Sequence, residues 1–160
     1  MKNKTINYED LINRNKQIDE LKRKGLKQNE KEKVLKTNGF NKVIYLLNCD
    51  FESSSQRTTQ YLEFHRTFKR EFKKVLNPIC NKIEISKPNH FDVSGFFQLK
   101  DNRIYYFSIS DLRWNKTFLI RIAKDFKDYT GGSNNFINLD NNFIENLLNK
   151  LDNWKNFDKI

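Results

Sequence analysis

The residues of this 160-residue chain best placed to do chemistry are two aspartates in alternating apolar runs, Asp92 within 91–100 and Asp111 within 103–112. If Asp101-Asn102 between the runs is a two-residue hairpin turn, Leu99 faces Ile104, Phe97 faces Tyr106 and Asp92 faces Asp111. Carboxylates in that position repel each other unless a cation or a shared proton compensates. With His90 and Arg113 alongside, the pair has the oxygen ligands to hold Mg²⁺ or Mn²⁺ and to activate water against a phosphodiester. A plainer account serves the same residues: Arg113 and Arg103 neutralise the pair, or a one-residue bulge separates it.

The order helix, strands, helix, with an Asp opening a strand, is similar to the layout of PD-(D/E)xK nucleases, and Gln98-Leu99-Lys100 could stand for their Q-x-K variant. The likeness ends there. Gln98 follows Asp92 on the same strand, and the next strand carries Ser108-Ile109-Ser110 with no Glu or Lys, so the chain is not assigned to that family. Other catalytic patterns are absent from the sequence. There are only two His, His65 and His90, and no GxSxG; the 130–135 loop has neither a GxxxxGK[ST] nor a GxGxxG phosphate cradle. Cys49 and Cys80 lack CxxC spacing and read as buried free thiols. The expectation is a non-enzymatic protein without a cofactor, Mg²⁺ entering only under the nuclease alternative.

Binding chemistry is better represented. A helix over about 55–76 repeats Phe64, Phe68, Phe72 and Leu76 at every fourth position, and Arg66, Lys69, Arg70, Lys73 and Lys74 flank that aromatic face, with Arg57 in the first turn. Upstream, Lys22, Arg23, Lys24 and Lys27 surround a turn between two short helical patterns, a helix-turn-helix arrangement in the functional reading and a solvated arm in the plainer one. On the sheet, the two-residue turn puts Phe97, Tyr106, Ser108, Ser110 and Arg121 on one face, where rings stack bases and Arg meets phosphate, unless a helix covers them.

The net charge is +10 and the pI near 9.6, which favours an anionic partner. Part of that reflects codon usage: 22 Asn and 22 Lys against a single Ala, Ala123, indicate A/T-rich codons. The distribution argues for more than drift, because the quarters 1–40, 41–80, 81–120 and 121–160 carry +5, +3, +2 and 0. No apolar run exceeds Val43 to Leu47 and the first twenty residues are polar, so membrane-spanning, signal-peptide and lipid-anchor readings drop out and a cytoplasmic protein is expected.

The elements that must position these groups form an α+β fold. The sequence predicts a basic helical arm over 1–39 and a single α+β domain over 40–160. Within the arm, a helix over 8–24 ends at Gly25 and a second runs from Asn29 to about Thr37; Phe40 to Asp50 then reads as a strand first and a helix second. The long amphipathic helix follows, capped by Ser53-Ser54-Ser55 and stopped by Pro78. Next come an antiparallel sheet of four or five strands (82–86, 91–100, 103–112 and 117–124), with a turn at Trp114-Asn115, and a C-terminal helix with Asp140 as N-cap, packed on the sheet.

The leading expectation is a small nucleic-acid-binding accessory protein of a phage or other mobile element, meeting phosphates without strong sequence specificity through Lys22, Arg23, Lys24, Lys27, Arg66, Lys69, Arg70 and Lys73, with Arg121 and Tyr106 on the sheet. One alternative is a protein that inhibits a host nucleic-acid-processing complex, of the anti-defence or anti-CRISPR type, using its aromatic sheet face. The other is the metal-dependent nuclease built on Asp92 and Asp111.

Overall fold

The computed structural model describes residues 9, 12, 26–36, 39–48 and 59–154. Three helices, α1 (Gln28–Lys36), α2 (Asn41–Leu47) and α3 (Thr59–Leu76), precede strands β1 (Cys80–Ile85), β2 (Val93–Leu99), β3 (Ile104–Ile109), β4 (Thr117–Ala123) and β5 (Asn135–Asn138), and α4 (Phe143–Asn153) closes the fold. The strands form one antiparallel sheet in the order β1-β2-β3-β4-β5. This is the α+β architecture the sequence predicts, with N-terminal helices and a C-terminal helix on the sheet.

The four-residue spacing of Phe64, Phe68, Phe72 and Leu76 puts all four on one stripe of α3, together with Tyr61 and Val75, and every one is fully buried. That stripe lies on the inner sheet face, where Phe72 meets Phe97, Phe107 and Phe118 at ring distances of 5.9, 4.9 and 6.0 Å. Phe143 of α4 joins at 4.9 Å from Phe118 and 5.1 Å from Phe40. Offset and edge-on ring pairs of this kind each add about 0.5–1.5 kcal/mol beyond their area. Gly95 lets β1 approach β2 closely: a Cβ there would stand 2.1 Å from the carbonyl oxygen of Glu84.

Several elements depart from expectation. Residues 41–47 form a helix, not a strand, because Phe40, Val43, Ile44 and Leu47 follow a three-and-four spacing and are all buried against α3 and α4. The fifth strand, β5, begins at Asn135, the last residue of the expected 130–135 loop, and fills a stretch to which the sequence assigned no element. Within the segment read as an arm, α1 inserts Val34 into the common core, and the Lys31 ammonium sits 2.6 Å from the Asp152 carboxylate on α4. Asp140 is not the helix cap: its carboxylate accepts the Asn142 N–H at 2.9 Å, in the turn before α4. The 8–24 helix and the Ser53-Ser54-Ser55 cap lie outside the described residues, residues 9 and 12 excepted. Among the described residues no helix is long and apolar enough to cross a membrane.

The decisive departure is the β2–β3 register. The connection has three residues, Lys100 to Asn102: the Leu99 N–H donates to the Arg103 carbonyl at 2.8 Å and the Asn102 N–H to the Leu99 carbonyl at 2.9 Å. Asn102 takes a left-handed conformation, φ 74°, which Asn tolerates better than most residues. Phe97 therefore faces Tyr105, not Tyr106, and Phe96 faces Tyr106. A one-residue slip exchanges faces. The Trp114-Asn115 turn is also longer than expected, pairing Ile104 with Ala123, but this shift is by two residues and leaves the faces as they were.

Truncating Phe72 to Ala is expected to cost about 3–5 kcal/mol, seen as a lower urea midpoint at unchanged slope. Leu35→Ala on exposed α1 should stay within about 0.5 kcal/mol of the parent.

Candidate nucleic-acid interface

With its apolar stripe on the sheet, α3 turns Arg66, Lys69, Arg70, Lys73 and Lys74 to solvent. At 1.5 Å per residue they span about 12 Å of helix axis. Arg70 makes a long contact, 3.4 Å, with the Glu71 carboxylate, which is itself buried. Arg66, Lys69, Lys73 and Lys74 have no carboxylate partner among the described residues. Arg66 and Arg70, Lys69 and Lys73, and Arg70 and Lys74 are like-charge pairs four apart, each of which weakens a helix by about 0.2–0.5 kcal/mol until an anion compensates. Lys74, which the sequence reading left out of its candidate site, belongs to this face. Lys27 is exposed just ahead of α1; Lys22, Arg23 and Lys24 lie outside the described residues.

Residues just inside that face anchor the β1–β2 connection. His65 is buried, with Nε2 2.9 Å from the Ser86 carbonyl, so Nε2 carries the proton. Burial pushes its pKa below the ordinary value, and the nearby Lys69 acts the same way, against the Ser86 hydrogen bond. Tyr61 accepts the Asn89 N–H at 2.8 Å and donates to the Asp92 carbonyl at 2.6 Å. His65 thus holds a loop rather than serving as a base.

The outer sheet face carries the other sequence-predicted residues, with Phe96 replacing Phe97. Tyr106 packs against Phe96 at 5.3 Å, and Phe126 and Tyr129 from the β4–β5 connection close over the pair. The Arg121 guanidinium lies 4.5 Å above the Tyr106 ring and donates to the Tyr129 carbonyl. Lys82 sits 4.6 Å above Phe126 and pairs with Glu84 at 3.0 Å. The sequence hid Phe126 and Tyr129 because they fall in an aperiodic connection. Rings and cations here are engaged with one another, and Lys73 of α3 reaches the edge of this cluster, lining a hollow with Phe96, Phe126 and Tyr129.

Asp92 and Asp111 do not form a metal pair. The Asp92 carboxylate accepts the Asp111 N–H at 2.7 Å, while both Asp111 oxygens take Arg113, at 2.8 and 2.7 Å. The Arg113 guanidinium holds the Asp111 carboxyl below the usual carboxylate range. His90 is exposed, in a left-handed conformation at φ 50°. Among the described residues no group of three His, Cys, Asp or Glu is placed to hold a metal ion. Arg103, the second expected neutraliser, serves Asp101 instead, at 2.9 Å.

At the start of the 130–135 loop the Thr130 and Gly131 amides donate to the Asp128 carboxylate at 3.2 and 2.9 Å, and the Lys124 N–H joins them at 3.0 Å. Those bonds hold the Asp128 carboxyl below its ordinary pKa. Cys80 is a buried free thiol whose pKa burial pushes up to about 12; Cys49 lies outside the described residues. No protein-family model, curated protein or solved structure matches the chain.

Because the folded pKa of His65 is depressed, the unfolded chain binds its proton more readily. The stability it confers is complete above about pH 6.5 and falls as the pH drops below that value toward the folded pKa. Urea midpoints at pH 7.5 and about 5 should differ in the parent, and by less in His65→Gln; equal differences would remove His65 from the account.

Proposed function

We propose that the protein binds nucleic acid through the exposed face of α3, contacting phosphates with Arg66, Lys69, Arg70, Lys73 and Lys74 and reading little sequence. The observation that carries this is five cations within three turns of one helix face, of which only Arg70 is in ion-pair contact with a carboxylate among the described residues. A polyanion offsets the repulsion along that face and releases its own counterions on binding. Phosphate contacts alone position a protein without selecting sequence.

Fluorescence anisotropy with labelled single- and double-stranded DNA and RNA tests this. With four or five phosphates neutralised on duplex DNA, affinity should fall roughly 100- to 500-fold between about 50 and 200 mM salt. Simultaneous Arg66→Glu, Lys69→Glu, Arg70→Glu and Lys73→Glu should abolish binding while circular dichroism stays unchanged. Absence of binding to all four probes, or binding indifferent to salt, would overturn the proposal and direct attention to a protein partner.

A further inference from the structure

At the opposite edge of the sheet from β1, two adjoining shallow hollows of about 350 and 500 Å³ lie between β5 and α4, sharing Lys150 and Asn153. Neither is lined by a carboxylate; five asparagine amides line them, with Lys150 as the single cation. Asn146, Asn149 and Asn153 recur at three- and four-residue spacing on α4, and Asn135 and Asn138 line the hollows from β5. Phe136 is 63% exposed although it sits in a strand. The Lys150 ammonium stands 5.5 Å from the centre of the Trp154 ring, which lines the smaller hollow.

Each asparagine amide presents a donor and an acceptor side by side, the pattern that matches the edge of a nucleobase. An exposed ring offers a stacking surface that every base can use. A lone cation with no competing acid favours a ligand with a negative charge over a neutral one such as a sugar. We infer that the groove between β5 and α4 is a nucleotide-binding subsite, in which the base stacks on Phe136, the Asn146 and Asn149 amides hydrogen-bond its edge, and Lys150 takes the phosphate. The subsite is distinct from the α3 face and rests on different residues.

Trp154 supplies the readout. The chain has two Trp, and Trp114→Phe, at a position 79% exposed, leaves Trp154 as the sole indole. That variant is titrated separately with AMP, GMP, CMP, UMP, adenosine, inorganic phosphate and maltose. Saturable quenching by at least one nucleotide is expected, with no response to phosphate or maltose. Phe136→Ala should weaken nucleotide binding about tenfold. Adenosine should bind about fivefold or more weakly than AMP, and Lys150→Gln should erase that difference. The inference is overturned if none of the four nucleotides gives a saturable response, if maltose binds as tightly as they do, or if Phe136→Ala leaves their affinity unchanged. Reversing the α3 charges should leave the mononucleotide response intact. Absence of polynucleotide binding by the parent chain, with mononucleotide binding present, would therefore remove the α3 proposal alone.

Discussion

Everything else in the structure depends on the packing of Phe72. Its ring meets Phe40, Phe68, Phe97, Phe107 and Phe118, so one side chain ties the start of α2 and the body of α3 to the three central strands. α4 enters the same cluster through Phe143. With so much aromatic surface available, burying it on one sheet face is the dominant favourable term, and it draws all four described helices to that side. The orientation of α3 follows: once its rings point at the sheet, its cations have only solvent to face.

A second constraint sets the end of the fold. Arg103 is buried beside the β2–β3 turn, bound to Asp101, and donates to the Tyr105 hydroxyl at 3.0 Å and to the Leu151 and Trp154 carbonyls at 2.7 and 2.9 Å. Those carbonyls close α4, and a cation at a helix C-terminus meets the negative end of the helix dipole. Burial works against the charge, while Asp101 and the Tyr105 hydroxyl outweigh it and hold the guanidinium above its ordinary pKa. Removing either partner would leave a buried charge uncompensated, which ranks this pair above the exposed ion pairs elsewhere on the surface.

The two features the sequence offered for nucleic acid, a basic helix and an aromatic sheet face, are carried by separate layers, with Lys73 reaching a hollow lined by Phe96, Phe126 and Tyr129. On the outer face Arg121 and Lys82 are held over rings of their own chain, so the aromatic cluster is a small second core under the β4–β5 connection. The α3 face is a row of cations, and the β5–α4 groove has an exposed ring with amides and one cation. The two candidate surfaces therefore rest on different elements, and neither includes the carboxylates that Arg113 and the Asp111 amide already engage.

Sequence alone determined the elements whose signals are strong and local. Phenylalanines four apart, a stopping Pro78, period-two runs and an apolar stripe over Ile144, Leu147, Leu148 and Leu151 each specify helix or strand from neighbours along the chain, and so does the basic flank of α3. Where signals were short, sequence was ambiguous: the spacing of Phe40, Val43, Ile44 and Leu47 was there to be read as helix, but a brief apolar run satisfies both periods. Tertiary structure decided the β2–β3 register, and with it which ring joins Tyr106 and whether Asp92 meets Asp111. A turn of two or three residues differs by one left-handed Asn, a small local difference, while the packing of Phe97 and Tyr105 against α3 and α4 distinguishes the two registers strongly. The same holds for the β5–α4 groove, whose residues are scattered from Ser133 to Trp154 and acquire a shared environment only when strand and helix pack together.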